Sequence, residues 1–197
     1  MELATIKDVE EILKLYKNVI EKVNKSDIRL GWNIDVYPND EFVKKAITLG
    51  EMFIIRYEGI IVAAAVVNHT VNPEYDDINW KVKAPADKIS TIHALAVAPE
   101  QRGKSVSYGF LKDIEEYCKE NGDLAIHLDV IDTNIPAYKL YINNGYEEID
   151  CIKMYYEVVG TREFWMLENT LGTVLLSQGA SLWHKERHSG TIFRLLD

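Results

Sequence analysis

The chain has 197 residues, of which 47% are apolar, and its 31 acidic against 22 basic side chains give a formal net charge of −9. That length predicts one main domain with a real hydrophobic core, and no apolar run approaches the roughly 20 residues of a membrane span. The first residues lack the basic and apolar regions of a signal peptide, and an acidic chain without basic clusters argues against a nucleic-acid partner. We therefore expect a cytoplasmic protein with a small neutral or cationic partner, and neither a nucleic acid nor a membrane.

The N-terminal part predicts a short strand, two helices and a hairpin. Thr5 and Asp8 have the spacing of a capping box, and apolar residues recur at helical spacing from Val9 to Val23. Glu58-Gly59 separates two apolar runs and fits a two-residue hairpin turn. The predicted elements are a strand at 2–4, helices at 9–23 and 40–49, and strands at 52–57 and 60–69, with an irregular segment at 24–39.

The central part predicts strands that alternate with helices, after a Pro-containing loop with a short extended piece at 72–88. The predicted elements are a strand at 91–97, a polar loop at 100–104 that opens a helix to about residue 121, a strand at 125–131, a helix at 136–143, and strands at 146–159 and 163–170. Alternation in the middle with hairpins at both ends predicts an α+β (mixed α/β) fold rather than a purely parallel sheet.

The end of the chain differs from the rest in composition. We divide the chain into a domain at 1–171 and a C-terminal extension at 172–197, which is rich in Ser, Gly, His and Arg and shows no clear periodicity. The extension is an added strand or helix, a contact in a homodimer, or a tail outside the fold.

The two cysteines lie apart, Cys118 in a predicted helix and Cys151 in a predicted strand. Two isolated thiols make neither a disulfide framework nor a zinc site. They predict no metal, and the reducing cytoplasm is the simplest compartment for them.

A candidate phosphate-binding loop, Gln101-Arg102-Gly103-Lys104-Ser105-Val106-Ser107, lies between a predicted strand and a predicted helix. Free backbone N–H groups and the dipole at a helix N-terminus favour an anion, and Arg102 and Lys104 add positive charge. The spacing fits neither Walker A nor the dinucleotide fingerprint. The alternative is a solvated loop that is capped by Ser105.

Three further motifs flank this loop in order: His93-Ala94-Leu95-Ala96-Val97-Ala98-Pro99-Glu100, then Asn134-Ile135-Pro136-Ala137-Tyr138-Lys139-Leu140-Tyr141, then Asn144-Gly145-Tyr146. With the opening Leu3-Ala4-Thr5-Ile6-Lys7-Asp8, their order and spacing resemble the GCN5-related N-acetyltransferases, the GNAT superfamily, from about residue 2 to 170. The resemblance implies a GNAT-like twisted mixed sheet, flanked by helices, whose fourth and fifth strands splay apart to admit acetyl-coenzyme A.

The resemblance implies a set of cofactor contacts. Loop amides would hold the pyrophosphate, and an N–H of the preceding strand would polarise the thioester carbonyl while its main chain pairs with the pantetheine arm. Ser105 and Ser107 stand where the family usually has Gly, then Gly or Ala, so weaker CoA binding is an alternative, above all if φ at 105 is positive. The implied cofactor residues are Leu95, Val97, Arg102, Gly103, Lys104, Ser105, Val106, Ser107, Asn134 and Ala137.

The resemblance also implies a general acid, Tyr141, that protonates the departing CoA thiolate. The reference pKa values are about 8.5 for a thiol and about 10 for a tyrosine, so the proton transfer needs only a small change in pKa. The alternative for Tyr141 is an amphipathic core residue beside Leu140.

His93 is the candidate general base, because a histidine titrates near neutrality. Alternation along the strand places it on one face with Leu95 and Val97. The alternative is a histidine whose hydrogen bonds are satisfied by strand neighbours. His127 and Asp129 share a face of the next strand and offer a second relay, with a packing or surface role as their alternative.

The resemblance implies that the segment between the first two helices and the late hairpin form the acceptor pocket. Aromatic side chains near carboxylates suit an amine that is cationic before deprotonation, with core or rim packing as the alternative. The candidate substrate residues are Trp32, Tyr37, Trp80 and Tyr155, with Asp35 and Tyr156 beside them.

The resemblance therefore predicts an N-acetyltransferase that uses acetyl-CoA as cosubstrate. Neither cysteine is an obvious acetyl carrier, so we expect direct transfer to a primary amine of a small molecule or a peptide. The alternative is a non-catalytic acyl-CoA-binding or sensing module of the same fold.

Overall fold

The structure is a computed structural model that describes residues 1–23, 25, 28, 30–101 and 103–172. The described residues form seven strands: β1 (Glu2–Leu3), β2 (Met52–Tyr57), β3 (Ile60–Asn68), β4 (Ile89–Val97), β5 (Ala125–Ile131), β6 (Glu147–Tyr156) and β7 (Gly160–Thr170). They also form four α-helices: α1 (Val9–Val23), α2 (Asp40–Thr48), α3 (Val106–Glu120) and α4 (Ile135–Asn143). These elements match the predicted ones to within a few residues. All of the predicted extension except Gly172 lies outside the described residues.

The helix α1 begins at the predicted capping box. The amide and the hydroxyl of Thr5 donate to the Asp8 carboxylate at 2.7 and 2.9 Å, which orders the turn before the helix. Ile12 and Tyr16 are fully buried, because residues four apart lie on one helix face and this face packs against the sheet. Within the described ranges, no helix combines the length and the apolar character that a membrane crossing needs.

The strands form one sheet in the order β1-β2-β3-β4-β5-β7-β6. All neighbouring pairs are antiparallel except β4 and β5, which pair in parallel from Ile89 opposite Ala125 to Thr91 opposite His127. Beyond Thr91, the rest of β4 has no partner on β5. The predicted mixed sheet with splayed central strands is therefore confirmed.

The strand β4 contains a β-bulge at Ala94. Ala96 pairs with Ala64 and His93 pairs with Val66, so a step of three residues on β4 lies opposite a step of two residues on β3. Ala94 adopts a φ of +50°, and its carbonyl oxygen accepts a hydrogen bond from the Tyr16 hydroxyl at 2.9 Å. The buried hydroxyl of α1 thus holds the bulge in place.

The bulge changes the face on which His93 lies. Its partner Val66 packs in the core cluster with α1 and α2, whereas Leu95 and Val97 pack against the cluster that includes α3. Directly opposed residues on paired strands point to the same face, so His93 lies on the α1 side of the sheet. The prediction that His93 shares a face with Leu95 and Val97 is wrong.

The segment 72–88, predicted as a loop with a short extended piece, contains two short 3-10 helices, Pro73–Asp77 and Ala86–Lys88. Tyr75, Ile78 and Trp80 are buried in a cluster that also holds residues of β5, β6 and β7. The segment therefore covers the part of the sheet that α1 and α2 leave open. Its aromatic residues follow no regular period, which is why the sequence pattern did not indicate this role.

Candidate active site

A cleft opens between the diverging ends of β4 and β5. After Thr91, β4 has no neighbouring strand on this side, so main-chain N–H and C=O groups along its edge can pair with an extended ligand. Leu95 and Val97 lie on this stretch, and their side chains are half-buried. An extended chain bound here would add a strand to the sheet.

The turn after β4 leads directly into the N-terminus of α3. The first hydrogen bond of the helix runs from the Gly109 amide to the Ser105 carbonyl at 2.9 Å. Among the described residues, none accepts a hydrogen bond from the amides of Val106 and Ser107. A helix start with unpaired amides is a site for an anion, because the N–H groups and the helix dipole both favour negative charge.

The loop before α3 is open to solvent. Gly103 has a φ of +77°, and no atom lies within 4 Å of the position that a Cβ would take there. Lys104 is exposed and supplies positive charge beside the helix start. Arg102, which was expected to supply a second charge, lies outside the described residues.

Ser105 adopts the left-handed conformation, with a φ of +59°. Its side chain makes no cap hydrogen bond, so the alternative of a loop capped by Ser105 is wrong. The hydroxyl is left to donate to a ligand, but the backbone carries the cost of a left-handed residue with a Cβ.

The helix α4 follows β5 directly in the chain. Asn134 caps this helix, since its Oδ1 accepts the Ala137 amide at 3.3 Å. Tyr141 follows four residues after Ala137, is 7% exposed, and packs edge-on against Tyr146 with ring centroids 5.3 Å apart. The spacing puts Asn134, Ala137 and Tyr141 on one face of α4.

Burial raises the pKa of the Tyr141 hydroxyl above its ordinary value, and the negative charge of Asp129 raises it further. The hydroxyl is therefore protonated at neutral pH and can donate a hydrogen bond. The sequence predicts that the two pKa values need little adjustment. The raised pKa of Tyr141 instead widens its difference from the thiol pKa of about 8.5.

His93 is held by β3 and the residues that follow it. Its Nε2 lies 3.1 Å from Asn68 Oδ1 and 3.0 Å from the Thr70 carbonyl oxygen. Both neighbours are acceptors, so Nε2 carries the proton and Nδ1 is the basic nitrogen. Burial lowers the pKa of His93, against the opposing effects of the Thr70 carbonyl and the Glu51 charge. The ring is consequently neutral at neutral pH.

Asp129 lies on β5, two residues beyond His127, the last position that pairs with β4. Its carboxylate accepts hydrogen bonds from the hydroxyls of Tyr75 at 2.8 Å and Tyr156 at 3.5 Å. Burial raises the pKa of Asp129, although the two hydroxyls act in the opposite direction. Asp129 on β5 and His93 on β4 each lie two residues beyond the last pair, Thr91 and His127.

The family model for acetyltransferases of the GNAT type matches residues 14–146, which is more than half of the chain. The chain belongs to the GNAT acetyltransferase family. No curated protein matches the sequence significantly.

Solved structures share the GNAT fold with this chain at low sequence identity. A GNAT-family acetyltransferase from Streptococcus agalactiae has a TM-score of 0.71 and 20% identity, over 87% of this chain and 94% of the other. The ribosomal-protein-alanine N-acetyltransferase from Brucella melitensis has a TM-score of 0.65 and 16% identity, over 86% and 98%. The yncA protein from Salmonella typhimurium, solved with its cofactor acetyl-CoA, has a TM-score of 0.64 and 12% identity, over 87% and 92%.

Two of the candidate substrate residues of this GNAT chain lie in the segment between α1 and α2. Trp32 is half-buried and packs edge-on against Tyr16, with ring centroids 5.7 Å apart. Tyr37 packs against Phe42 at 4.8 Å, and burial and the charge of Asp129 both raise the pKa of its hydroxyl. Tyr37 thus belongs to the surroundings of Asp129. Asp35, between them, is exposed.

The other two candidates point away from the cleft. Trp80 is 8% exposed, donates its indole N–H to the Tyr75 carbonyl at 3.0 Å, and stacks on His127 with centroids 3.7 Å apart. Tyr155 is 68% exposed, because adjacent residues of a strand alternate between faces and Tyr156 is the one that points inward. Trp80 therefore packs in the core and Tyr155 lies in solvent.

The suggested relay of His127 and Asp129 does not form. Burial lowers the pKa of the His127 ring, whose Nε2 lies 2.9 Å from the Glu168 carboxylate. Asp129 binds tyrosine hydroxyls instead.

Sequence reasoning missed Tyr75 altogether, since it lies in a segment without periodicity. It also missed Asn68, whose side chain links His93 to Glu51. Among the described residues, no cluster of three His, Cys, Asp or Glu side chains could hold a metal ion.

Proposed function

We propose that this GNAT protein is an N-acetyltransferase that transfers the acetyl group of acetyl-CoA directly to a primary amine of a small molecule or a peptide. One observation supports the proposal above all: β4 and β5 stop pairing after Thr91 and His127, which leaves an open strand edge just before the start of α3. Membership of the family supports acetyl transfer in general. The amine acceptor is the more specific part of the proposal.

The chain offers a place for each part of acetyl-CoA. The amides of residues 103–107, with Lys104 beside them, suit the diphosphate. The main chain of Leu95 and Val97 suits the pantetheine arm, which would pair with β4 as an added strand. Asn134 and Ala137, at the start of α4, are proposed as contacts on the far side of the gap. Arg102 is proposed as a further contact from the sequence alone.

Two side chains are proposed to move protons. The amine nitrogen bonds to the acetyl carbon while the carbon–sulfur bond breaks, and the electron pair leaves with the sulfur. The acceptor first releases one proton to water and attacks as a neutral amine. Tyr141, protonated at neutral pH, donates to the departing sulfur, and Nδ1 of the neutral His93 takes the second proton from the amine nitrogen. Proton exchange with water then restores Tyr141 and His93. Buried Cys118, whose pKa is raised to about 12 by burial above all, is unsuited to carry the acetyl group.

The variant Tyr141→Phe tests the acid. We expect kcat to fall by about 100-fold, a usual size for general acid catalysis, while the dissociation constant of CoA stays within a factor of about two. The matched control is Tyr138→Phe, because Tyr138 lies on the same helix but donates to the exposed Glu148 at 2.7 Å. Thiol release from acetyl-CoA measures kcat, and calorimetry measures CoA binding. Equal activity in the two variants would remove Tyr141 from the mechanism.

The alternative function is a binding module without turnover. It is favoured by the left-handed Ser105, which places a Cβ in a loop meant to approach phosphate closely. Wild-type protein that binds CoA in calorimetry and releases no thiol with any of a broad panel of amines would support the module. A protein that binds neither CoA nor acetyl-CoA would contradict both functions.

A further inference from the structure

We propose that Asp129, with the hydroxyls of Tyr75 and Tyr156, forms the subsite that receives the acceptor amine. The acceptor is then a cationic amine whose own molecule carries no carboxylate. This inference rests on the proposed acetyltransferase function and specifies its substrate class. It follows from hydrogen bonds, charge and position along β5.

The Asp129 carboxylate lacks a cationic partner among the described residues. In this part of the chain, its neighbours at hydrogen-bond distance are the neutral hydroxyls of Tyr75 and Tyr156. The nearby Glu74 adds a like charge, and burial raises the pKa of Asp129. A half-buried carboxylate without compensation gains free energy when a cation binds.

The tyrosines around Asp129 are held by hydrogen bonds and ring packing. Asn72 donates its side-chain amide to the Tyr156 hydroxyl at 2.5 Å, and the Tyr156 ring packs on Phe164 with centroids 5.0 Å apart. The Tyr75 ring packs on Trp80 at 5.5 Å. A rigid ring of hydroxyls and aromatic faces around one carboxylate is well suited to an ammonium group.

The border of the subsite is acidic. The 3-10 helix that carries Tyr75 also carries Glu74, Asp76 and Asp77, and all three are exposed. A carboxylate on the acceptor would be repelled by Asp129 itself and by Glu74, whose charge acts on Asp129. The subsite therefore favours amines with a neutral or a cationic remainder.

The experiment compares three amines of equal chain length: n-butylamine, putrescine and γ-aminobutyrate. We expect the wild-type protein to acetylate n-butylamine and putrescine with kcat/KM at least tenfold above that for γ-aminobutyrate. In Asp129→Asn, KM for the two preferred amines should rise at least tenfold, because the charge is lost while the oxygen that accepts from Tyr75 and Tyr156 is kept. The preference against γ-aminobutyrate should shrink.

A second pair of variants keeps the test valid if Asp129→Asn folds poorly. Tyr156→Phe removes a hydroxyl that faces Asp129 and should raise KM by a few-fold, whereas Tyr155→Phe alters the exposed neighbour and should leave KM unchanged. CoA affinity, measured by calorimetry, should be the same in all variants. Wild-type KM in Asp129→Asn, or a wild-type preference for γ-aminobutyrate, would overturn the inference.

The two proposals fail in different ways. If CoA does not bind, the acetyltransferase itself is contradicted. If CoA binds but none of the three amines is acetylated, their binding to the CoA complex is measured by thermal shift. Loss of the putrescine shift in Asp129→Asn would support the subsite, and an equal shift in both proteins would contradict it.

Discussion

Burial disfavours the charged forms of three candidate side chains. It lowers the pKa of His93 and raises those of Asp129 and Tyr141. Asp129 differs from the other two, because an arriving ammonium group would favour its charged form and lower its pKa.

His93 can be tested as the base through the pH dependence of the rate. A base must be unprotonated, so kcat/KM should fall as the pH drops through the lowered pKa of His93. In His93→Ala we expect kcat/KM to be about 100-fold lower at neutral pH, with this acidic limb absent.

Asp129→Asn is the control for that profile, because the raised pKa of Asp129 could produce a limb of its own. Tyr75, Tyr156, Tyr37, Tyr141 and Glu74 surround Asp129 and remain in both variants. If His93→Ala keeps the wild-type limb and Asp129→Asn loses it, Asp129 takes the proton and His93 does not.

Sequence patterns located elements better than they located individual contacts. The loop before α3 and the helix that begins after Asn134 follow from local spacing, and the structure has both elements where they were predicted. The difference between Tyr155 and Tyr156 depends on the register of β6 against β7. A shift of the register by one residue would exchange the tyrosine that points inward, and the composition of the strand does not determine the register.

At the scale of the elements, the bulge in β4 decides which face carries each candidate residue. Alternation assumes an unbroken strand, and nothing in His93-Ala94-Leu95 indicates an extra residue. The bulge depends on the Tyr16 hydroxyl of α1, which bonds to Ala94 across the fold. A tertiary contact of this kind has no local signal in the sequence.

The start of α3 predicts a gain from glycine at one position. Ser105 has a φ of +59°, a conformation that costs a residue with a Cβ about 1 kcal/mol. In Ser105→Gly we expect CoA affinity to increase by up to about tenfold, since the backbone can approach the diphosphate more closely. Calorimetric titration with CoA measures this change.

Ser107→Gly is the matched control, because Ser107 lies in the first turn of α3 with helical geometry. Glycine there should lower the free energy of unfolding by about 0.5–1 kcal/mol and give no gain in affinity. Equal CoA affinities in the two glycine variants would show that the Cβ at 105 does not obstruct the ligand.

At the scale of the whole molecule, the order of elements was predicted and the layering was not. Capping at Thr5, the turn at Glu58-Gly59 and helical spacing fix local structure, and the structure confirms each of them. The covering of β5 by residues 72–88 comes from burial of scattered aromatic residues, which has no period. The division at 171 and 172 stays a prediction.

Two buried histidines predict how the whole fold responds to acid. Burial lowers the pKa values of His93 and His127 below the ordinary 6.5, so the unfolded chain binds protons that the folded chain does not. The free energy of unfolding should therefore fall as the pH drops below about 6.5. In a domain of this size 1 kcal/mol corresponds to roughly 2–4 °C, so Tm should decrease by several degrees between about pH 7.5 and about pH 5.5.

The variant His127→Gln tests this prediction. Its side chain can still donate to Glu168 but does not titrate, so its Tm should depend less on pH. Scanning calorimetry at both pH values makes the comparison, and parallel losses of Tm in the two proteins would assign the acid sensitivity to other groups.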